Sequence, residues 1–319
     1  MSVVRTVDFI TAAIAIAAIA VYFLTRPEYA VLDRGVVVVT GASSGIGRHF
    51  VEAFAAKYTN HTVLAGVRKE SDAASIRAVG LPNLQPLTVD VTSKESCSAA
   101  TESILSLLAA KSLPLVALVN NAGTARNFPV EFHDLADIRY LYETNVFGMV
   151  QMTQMLLPTL RRDKGRIVMI SSVAGRISTA LGGVYASTKF AMEAISDALR
   201  RELDAFGVSV SVIEPAYVKS NIFDRAIESS RAYEDSNTKL SKEVYSHFYS
   251  EAKTAKRRAS LANADEPVVT TQVIEDAIVN PRPQSRYTVA KAEGLPATIL
   301  TWIVWLLPDR LEDFVLKHI

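Results

Sequence analysis

From residue 36 to residue 289 the chain alternates short β-branched runs with stretches of helix length, and this alternation limits the fold more than any other feature. Strand-like runs fall at 36–40, 62–67, 84–89, 115–119, 166–170, 208–213 and 286–289. Helix-like stretches are expected at 46–57, 94–110, 135–160 and 184–206. The first of them, 36–40, is a short β-branched run without alternation, as a strand covered on both faces requires. Strands alternating with helices imply right-handed crossovers, so the expected fold is α/β: a doubly wound, seven-stranded parallel sheet with helices on both faces. A chain of 319 residues is ample to bury such a core.

At the first strand–helix junction stands Thr40-Gly41-Ala42-Ser43-Ser44-Gly45-Ile46-Gly47. Glycines there let the backbone approach a pyrophosphate, and the helix N-terminus turns free N–H groups toward its charge. The junction implies a Rossmann-like dinucleotide site. Its spacing is G-x-x-x-G-x-G, so position rather than spacing carries the inference. The second strand-like run ends in Arg68-Lys69, with no acidic residue at that point. An acid there would hold a free ribose 2′-hydroxyl, whereas a cation accommodates a 2′-phosphate, so NADP(H) is favoured over NAD(H).

Tyr185-Ala186-Ser187-Thr188-Lys189 opens the last long helical stretch. Tyr and Lys at i and i+4 share a helix face. A free phenol, with a pKa near ~10, is sluggish at neutral pH, and a cation one turn away is expected to lower it. Such a tyrosine protonates a carbonyl oxygen or takes the proton of an alcohol. Ser172, after the fifth strand-like run, supplies a hydroxyl that would polarise the same oxygen. Ser–Lys hydrolysis is the competing chemistry, but it would leave a dinucleotide site idle.

Together these motifs resemble the classical short-chain dehydrogenases/reductases, from about Val36 to about Val289. The resemblance implies that residues 40–47 form the cofactor turn, that Asp90 and Val91 contact the adenine, and that Asn120-Asn121-Ala122-Gly123 support sheet and cofactor. It implies a catalytic set of Asn145, Ser172, Tyr185 and Lys189, with Asn145 in a proton relay and Lys189 also on the nicotinamide ribose. Pro215 and Val218 would reach the nicotinamide, although Pro215-Ala216-Tyr217-Val218-Lys219-Ser220 departs from the family's P-G-x-x-x-T by carrying Ala for Gly and Ser for Thr. The segments 189–194 and 197–203 are similar to the retinol and hydroxysteroid dehydrogenase branch, which implies a lipophilic alcohol or ketone as substrate. A non-catalytic membrane scaffold, or a lyase or epimerase on the same fold, are the rival readings. The first is opposed by the intact catalytic set, the second by the lack of a further acid or base.

Outside this unit, residues 9–24 are uncharged and largely apolar, with Arg5 before and Arg26 after. The run lies just under the ~17-residue lower limit for a span and lacks a good cleavage site, so it reads as an uncleaved N-terminal membrane anchor (domain 1–30). Arg26 and Arg34 outnumber Arg5, which puts the catalytic domain (31–292) on the cytosolic side of an endoplasmic-reticulum-type membrane. Residues 220–266 are polar and helix-prone and are expected to form a substrate lid. Within the C-terminal segment (293–319), the apolar stretch Leu295–Leu307 is too short to span, at ~13 residues, which leaves a pocket cap, a membrane interface or a homodimer contact. A net charge of +1 gives no reason to expect nucleic acid, and Cys97 alone excludes an internal disulfide and a cysteine-rich metal centre.

Overall fold

Four consecutive valines make the first strand, β1 (Gly35–Val39), and every one of its residues is buried. Their side chains alternate between the sheet's two faces. Val36 and Val38 enter one apolar core with Ile104, Met152, Leu156 and Met192. Val37 and Val39 enter the other with Phe50, Phe54 and Ile274. Each buried valine contributes about 1.5–3 kcal/mol relative to exposure. A strand apolar on both sides is thus compelled to the middle of a layered sandwich.

This arrangement comes from a computed structural model that describes residues 27–220, 236–292 and 294–318, with the isolated positions Ile14, Ala17 and Val21. The chain continues through α1 (Gly45–Lys57), β2 (His61–Val67), α2 (Glu70–Arg77), β3 (Leu84–Thr88), α3 (Lys94–Lys111) and β4 (Leu115–Asn120). Then come α4 (Leu135–Tyr142), α5 (Gly148–Asp163), β5 (Arg166–Ile170), α6 (Gly183–Leu203) and β6 (Ser209–Pro215). The last part holds α7 (Ser236–Val244), α8 (Glu251–Ala262), α9 (Val268–Val279), β7 (Arg286–Val289), a small hairpin of Lys291–Ala292 with Leu295–Pro296, α10 (Ala297–Leu306) and α11 (Asp309–His318). The seven main strands pair in parallel in the order β3-β2-β1-β4-β5-β6-β7. Strand order reverses between β1 and β4, which opens a crevice at their carboxyl ends.

One expectation needs correction, and one helix was not expected. The stretch 135–160 is not one helix: a π turn, Glu143–Phe147, separates α4 from α5. Gly148 lies so close to Val91 that an added Cβ would meet Val91 O at 2.7 Å. The extra residue in the turn swings Asn145 fully inside. The polar stretch Glu70–Arg77 is helical although no periodicity announces it, since only Ala73 and Ile76 are buried.

The segment before β1 is stitched to the sheet. Arg166, 1% exposed at the start of β5, donates from Nη2 to Ala30 O (2.8 Å) and Tyr29 O (3.3 Å), and lies 5.5 Å from the Tyr29 ring centre. The 220–266 stretch holds α7 and α8, with no strand among its described residues. At the C-terminus, α10 buries Ala297, Leu300, Thr301 and Val304, while Trp302 and Trp305 stay largely exposed. The expected anchor at 9–24 falls almost wholly outside the described residues. Among those described, no helix is long and apolar enough to cross a membrane.

Candidate active site

A cleft of ≈ 580 Å³ runs along the carboxyl ends of the strands, from Arg68 and Lys69 at one end to Ser172, Tyr185 and Lys189 at the other. Its floor is the glycine turn. Gly41 and Gly45 have φ of +67° and +59°, a left-handed backbone that side chains resist. Gly47 lies beneath the turn rather than on its wall. A Cβ there would strike the Asn121 amide and stand 2.6 Å from Gly41 O. Ser43, Ser44 and Ile46 complete the floor, and Ser44, the N-cap of α1, makes no side-chain cap bond. The first amides of α1 therefore have no side-chain acceptor, which is what an anionic pyrophosphate needs.

The turn is locked to β4. Thr40 Oγ1 accepts from the amides of Asn121 (3.1 Å) and Ala122 (3.0 Å). The Asn121 side-chain Nδ2 donates to Thr40 O and Gly41 O at 3.0 and 2.8 Å. An added Cβ on Gly41 would sit 2.6 Å from Ala122 Cα. Ala122 and Gly123 thus line the cleft where β1 and β4 diverge. Asp90 and Val91 form the wall after β3. Asp90 Oδ1 accepts from the Thr92 amide (3.0 Å) and hydroxyl (2.8 Å), which fixes that loop. Arg68 is exposed at the rim and its Nη1 reaches Tyr140 OH at 3.4 Å. These features fit a dinucleotide: a cradle that a Cβ would fill, amides facing it, and a cation at the rim.

At the other end, Tyr185 and Lys189 share a face of α6, with the ammonium 5.8 Å from the Tyr185 ring centre. Lys189 is 4% exposed and donates to Ile170 O at 2.9 Å. Burial pulls it down to about 8, against the opposing pull of Glu193. Burial also pushes the Tyr185 phenol up to about 12, and the neighbouring Ser172 hydroxyl only partly offsets this. The expectation of a lowered phenol pKa therefore does not hold for the protein's own groups, because burial raises it more than its surroundings lower it. The phenol is held as a proton donor. Ser172 follows β5, and its Oγ donates to Pro215 O at 3.4 Å and accepts from the Ala174 amide at 3.1 Å.

Pro215 and Val218 also line the cleft. The loop carrying them is pinned from outside: the Lys219 amide donates to Asp265 O (2.9 Å) and the Asp265 amide to Tyr217 O (3.0 Å). Replacing the family's Gly and Thr with Ala216 and Ser220 therefore leaves an ordered loop. Asn145 stands behind the wall. Its Oδ1 accepts from the Thr124 amide (2.8 Å), and its Nδ2 donates to Thr124 O (2.9 Å) and Thr188 Oγ1 (3.0 Å). Gly123 lies between Asn145 Oδ1 and Lys189 Nζ, both within 4 Å of where its Cβ would be. Residue-by-residue reading gave no part to Thr124, Tyr140 and Thr188, whose roles depend on partners distant in sequence.

A family model described as short chain dehydrogenase matches residues 35–230. An NADPH-dependent 3-dehydrocapnine reductase of Ornithobacterium rhinotracheale is 34% identical over 281 residues, covering 86% of this chain and 94% of that protein. The human 17-beta-hydroxysteroid dehydrogenase type 6 is 30% identical over 301 residues, covering 93% and 92%. Among solved structures, a short-chain dehydrogenase from Streptomyces avermitilis superposes with a TM-score of 0.67 at 26% identity, covering 89% of this chain and 96% of that one.

Proposed function

Since the chain belongs to the short-chain dehydrogenase family and is an NAD(P)-dependent oxidoreductase, we propose that it interconverts a lipophilic alcohol and its ketone, of retinoid, steroid or fatty type, with NADP(H). The observation that carries this reading is one cleft with a glycine cradle and Arg68 at one end and Ser172, Tyr185 and Lys189 at the other. The nicotinamide supplies or accepts the hydride when bound. The remaining work falls to the protein. Ser172 polarises the substrate oxygen, and Tyr185, which burial keeps protonated in the free protein, delivers its proton during reduction. Lys189 replenishes the charge beside Tyr185 and binds the nicotinamide ribose. Asn145, opposite Lys189 across Gly123, stands behind it in the proton path.

NADP(H) is supported by Arg68, by the lack of an acid at that point, and by the NADPH-dependent relative. Lipophilic substrates are supported by the relatives that act on a 3-dehydrocapnine and on hydroxysteroids. The helices of 236–262 serve as a lid: Tyr245 donates to Glu131 (2.9 Å) and its ring meets Phe132, on the loop that leads out of the cleft from Gly123. Residues 9–24 attach the protein to a membrane with the domain on the cytosolic side. Asn60, in an Asn-His-Thr sequon at an exposed turn, should then carry no glycan in a eukaryotic host. The deciding experiment is NADPH oxidation by the purified protein across a panel of retinoid, steroid and fatty ketones. Turnover with at least one, and a clear preference over NADH, is expected; inactivity against all of them would refute the reading.

A further inference from the structure

Glu193 is the next residue on the face that carries Tyr185 and Lys189, one turn beyond the lysine. It is 7% exposed, a costly place for a carboxylate unless its charge is used. Its Oε2 accepts from Arg286 Nε of β7 at 3.1 Å. Arg286 is not a private partner: its Nε is 3.4 Å from Glu214 Oε1 on β6, and its Nη2 is 2.9 Å from Asp197 Oδ1 on α6. Glu214 is also approached by Arg176 (3.5 Å) and accepts from Thr288 Oγ1 (2.6 Å). Asp197 in turn faces Arg200 and Arg201. The other oxygen, Glu193 Oε1, and Ser171 Oγ are both buried without a well-formed hydrogen bond, and both crowd the point where a Cβ on Gly175 would stand, at 3.2 and 2.8 Å. The carboxylate thus lies beneath the residue preceding Ser172 and below Ile170, whose carbonyl holds the Lys189 ammonium.

We propose that Glu193 is a positioning residue of the active site: clamped by Arg286 under the Ser171–Ser172 turn, its carboxylate supplies the counter-charge for the buried Lys189 ammonium. The role presupposes Lys189 and Tyr185 as the proton-handling pair. Burial pulls Lys189 down, and among the residues around it Glu193 is the one that pulls it back. Glu193 itself is pushed up by burial, drawn back by Ser171, pushed up again by Glu214 and drawn back by Arg286, so the whole cluster sets how much charge it offers. A merely structural glutamate would hold α6, β6 and β7 together and leave the lysine's titration unmoved.

The test reads that titration directly. Protein carrying [13Cε]lysine is followed by NMR from pH 6 to 11, with Lys189 assigned by its loss in Lys189→Met. Glu193→Gln keeps the shape and an acceptor for Arg286, and should lower the Lys189 midpoint by about one unit. Glu193→Asp retains the charge one methylene further back and should fall in between. In the ketone-reduction assay the alkaline limb of kcat should move down by the same amount, with the KM for NADPH nearly constant. A Lys189 midpoint unchanged in both variants overturns the proposal. If Glu193→Gln does not fold, an unmoved midpoint in Glu193→Asp does so alone. The NMR result stands apart from turnover, so an inactive wild-type protein would refute the reductase reading and leave this one to be judged on the titration.

Discussion

Lys189 makes a stability prediction that runs against the usual direction of active-site mutation. The ammonium is 4% exposed and its pKa falls from 10.5 to about 8, chiefly through desolvation. That fall is equivalent to about 3 kcal/mol of penalty carried by the folded state. Because the folded value lies below the unfolded one, the penalty is fully present below about pH 8, fades as pH rises toward 10.5, and vanishes above it. Lys189→Met removes the charge and keeps the stem, but it strips the donor from Ile170 O, which returns a cost of about 1–2 kcal/mol. At pH 7 the variant should therefore be more stable than the parent by about 1–2 kcal/mol, a rise in Tm of a few degrees. Near pH 10 the advantage should disappear or reverse, since the lost hydrogen bond then remains alone. Urea unfolding followed by far-ultraviolet circular dichroism at both pH values measures this; tryptophan emission would not, because Trp302 and Trp305 both sit on the peripheral α10. A Met variant less stable than the parent at pH 7, or one with the same advantage at pH 10, would refute the reasoning. Loss of turnover should accompany the gain.

Tyr185→Phe should lower kcat by about 10²–10⁴-fold with the Kd for NADPH within a few-fold of the parent, as measured by stopped-flow turnover and fluorescence titration. Arg68→Asp should weaken NADPH and improve NADH, and an unchanged ratio of kcat/KM for the two would count against the 2′-phosphate contact. Gly47→Ala, which drives a methyl group into Gly41 O and the Asn121 amide, should cost at least about 1–3 kcal/mol of stability and abolish nucleotide binding; calorimetric binding close to the parent's would show that the turn can yield.

The sheet and the two ends of the cleft were legible in the sequence because their signals are local. Four valines in a row, a glycine turn at a strand–helix junction, and Tyr and Lys one helical turn apart each say what they are without a distant partner. The π turn was not legible: it goes with the close approach of Gly148 to Val91, 57 positions earlier, which no periodicity in 135–160 records. The Glu193–Arg286 clamp joins residues 93 positions apart, and nothing in either local sequence announces the other. The direction of the Tyr185 shift was misjudged for a related reason. Spacing shows the nearby cation, whereas burial, which dominates, is a property of the folded neighbourhood.

Arg166 has a consequence for where this molecule can be cut. It begins the strand that leads to Ser172, and the two carbonyls that satisfy its guanidinium belong to Tyr29 and Ala30, ahead of the first strand. The border of the folding unit therefore runs near Pro27, not at Gly35 where regular structure starts. A truncation after residue 27 should give a soluble, cooperatively folding protein, whereas one after residue 31 should leave a buried cation with Ser209 Oγ (3.3 Å) but without its two carbonyl acceptors and forfeit several kcal/mol. Anything fused in place of the apolar run hence pulls on the base of the catalytic strand, and a fusion joint inside 28–31 would be felt at its far end.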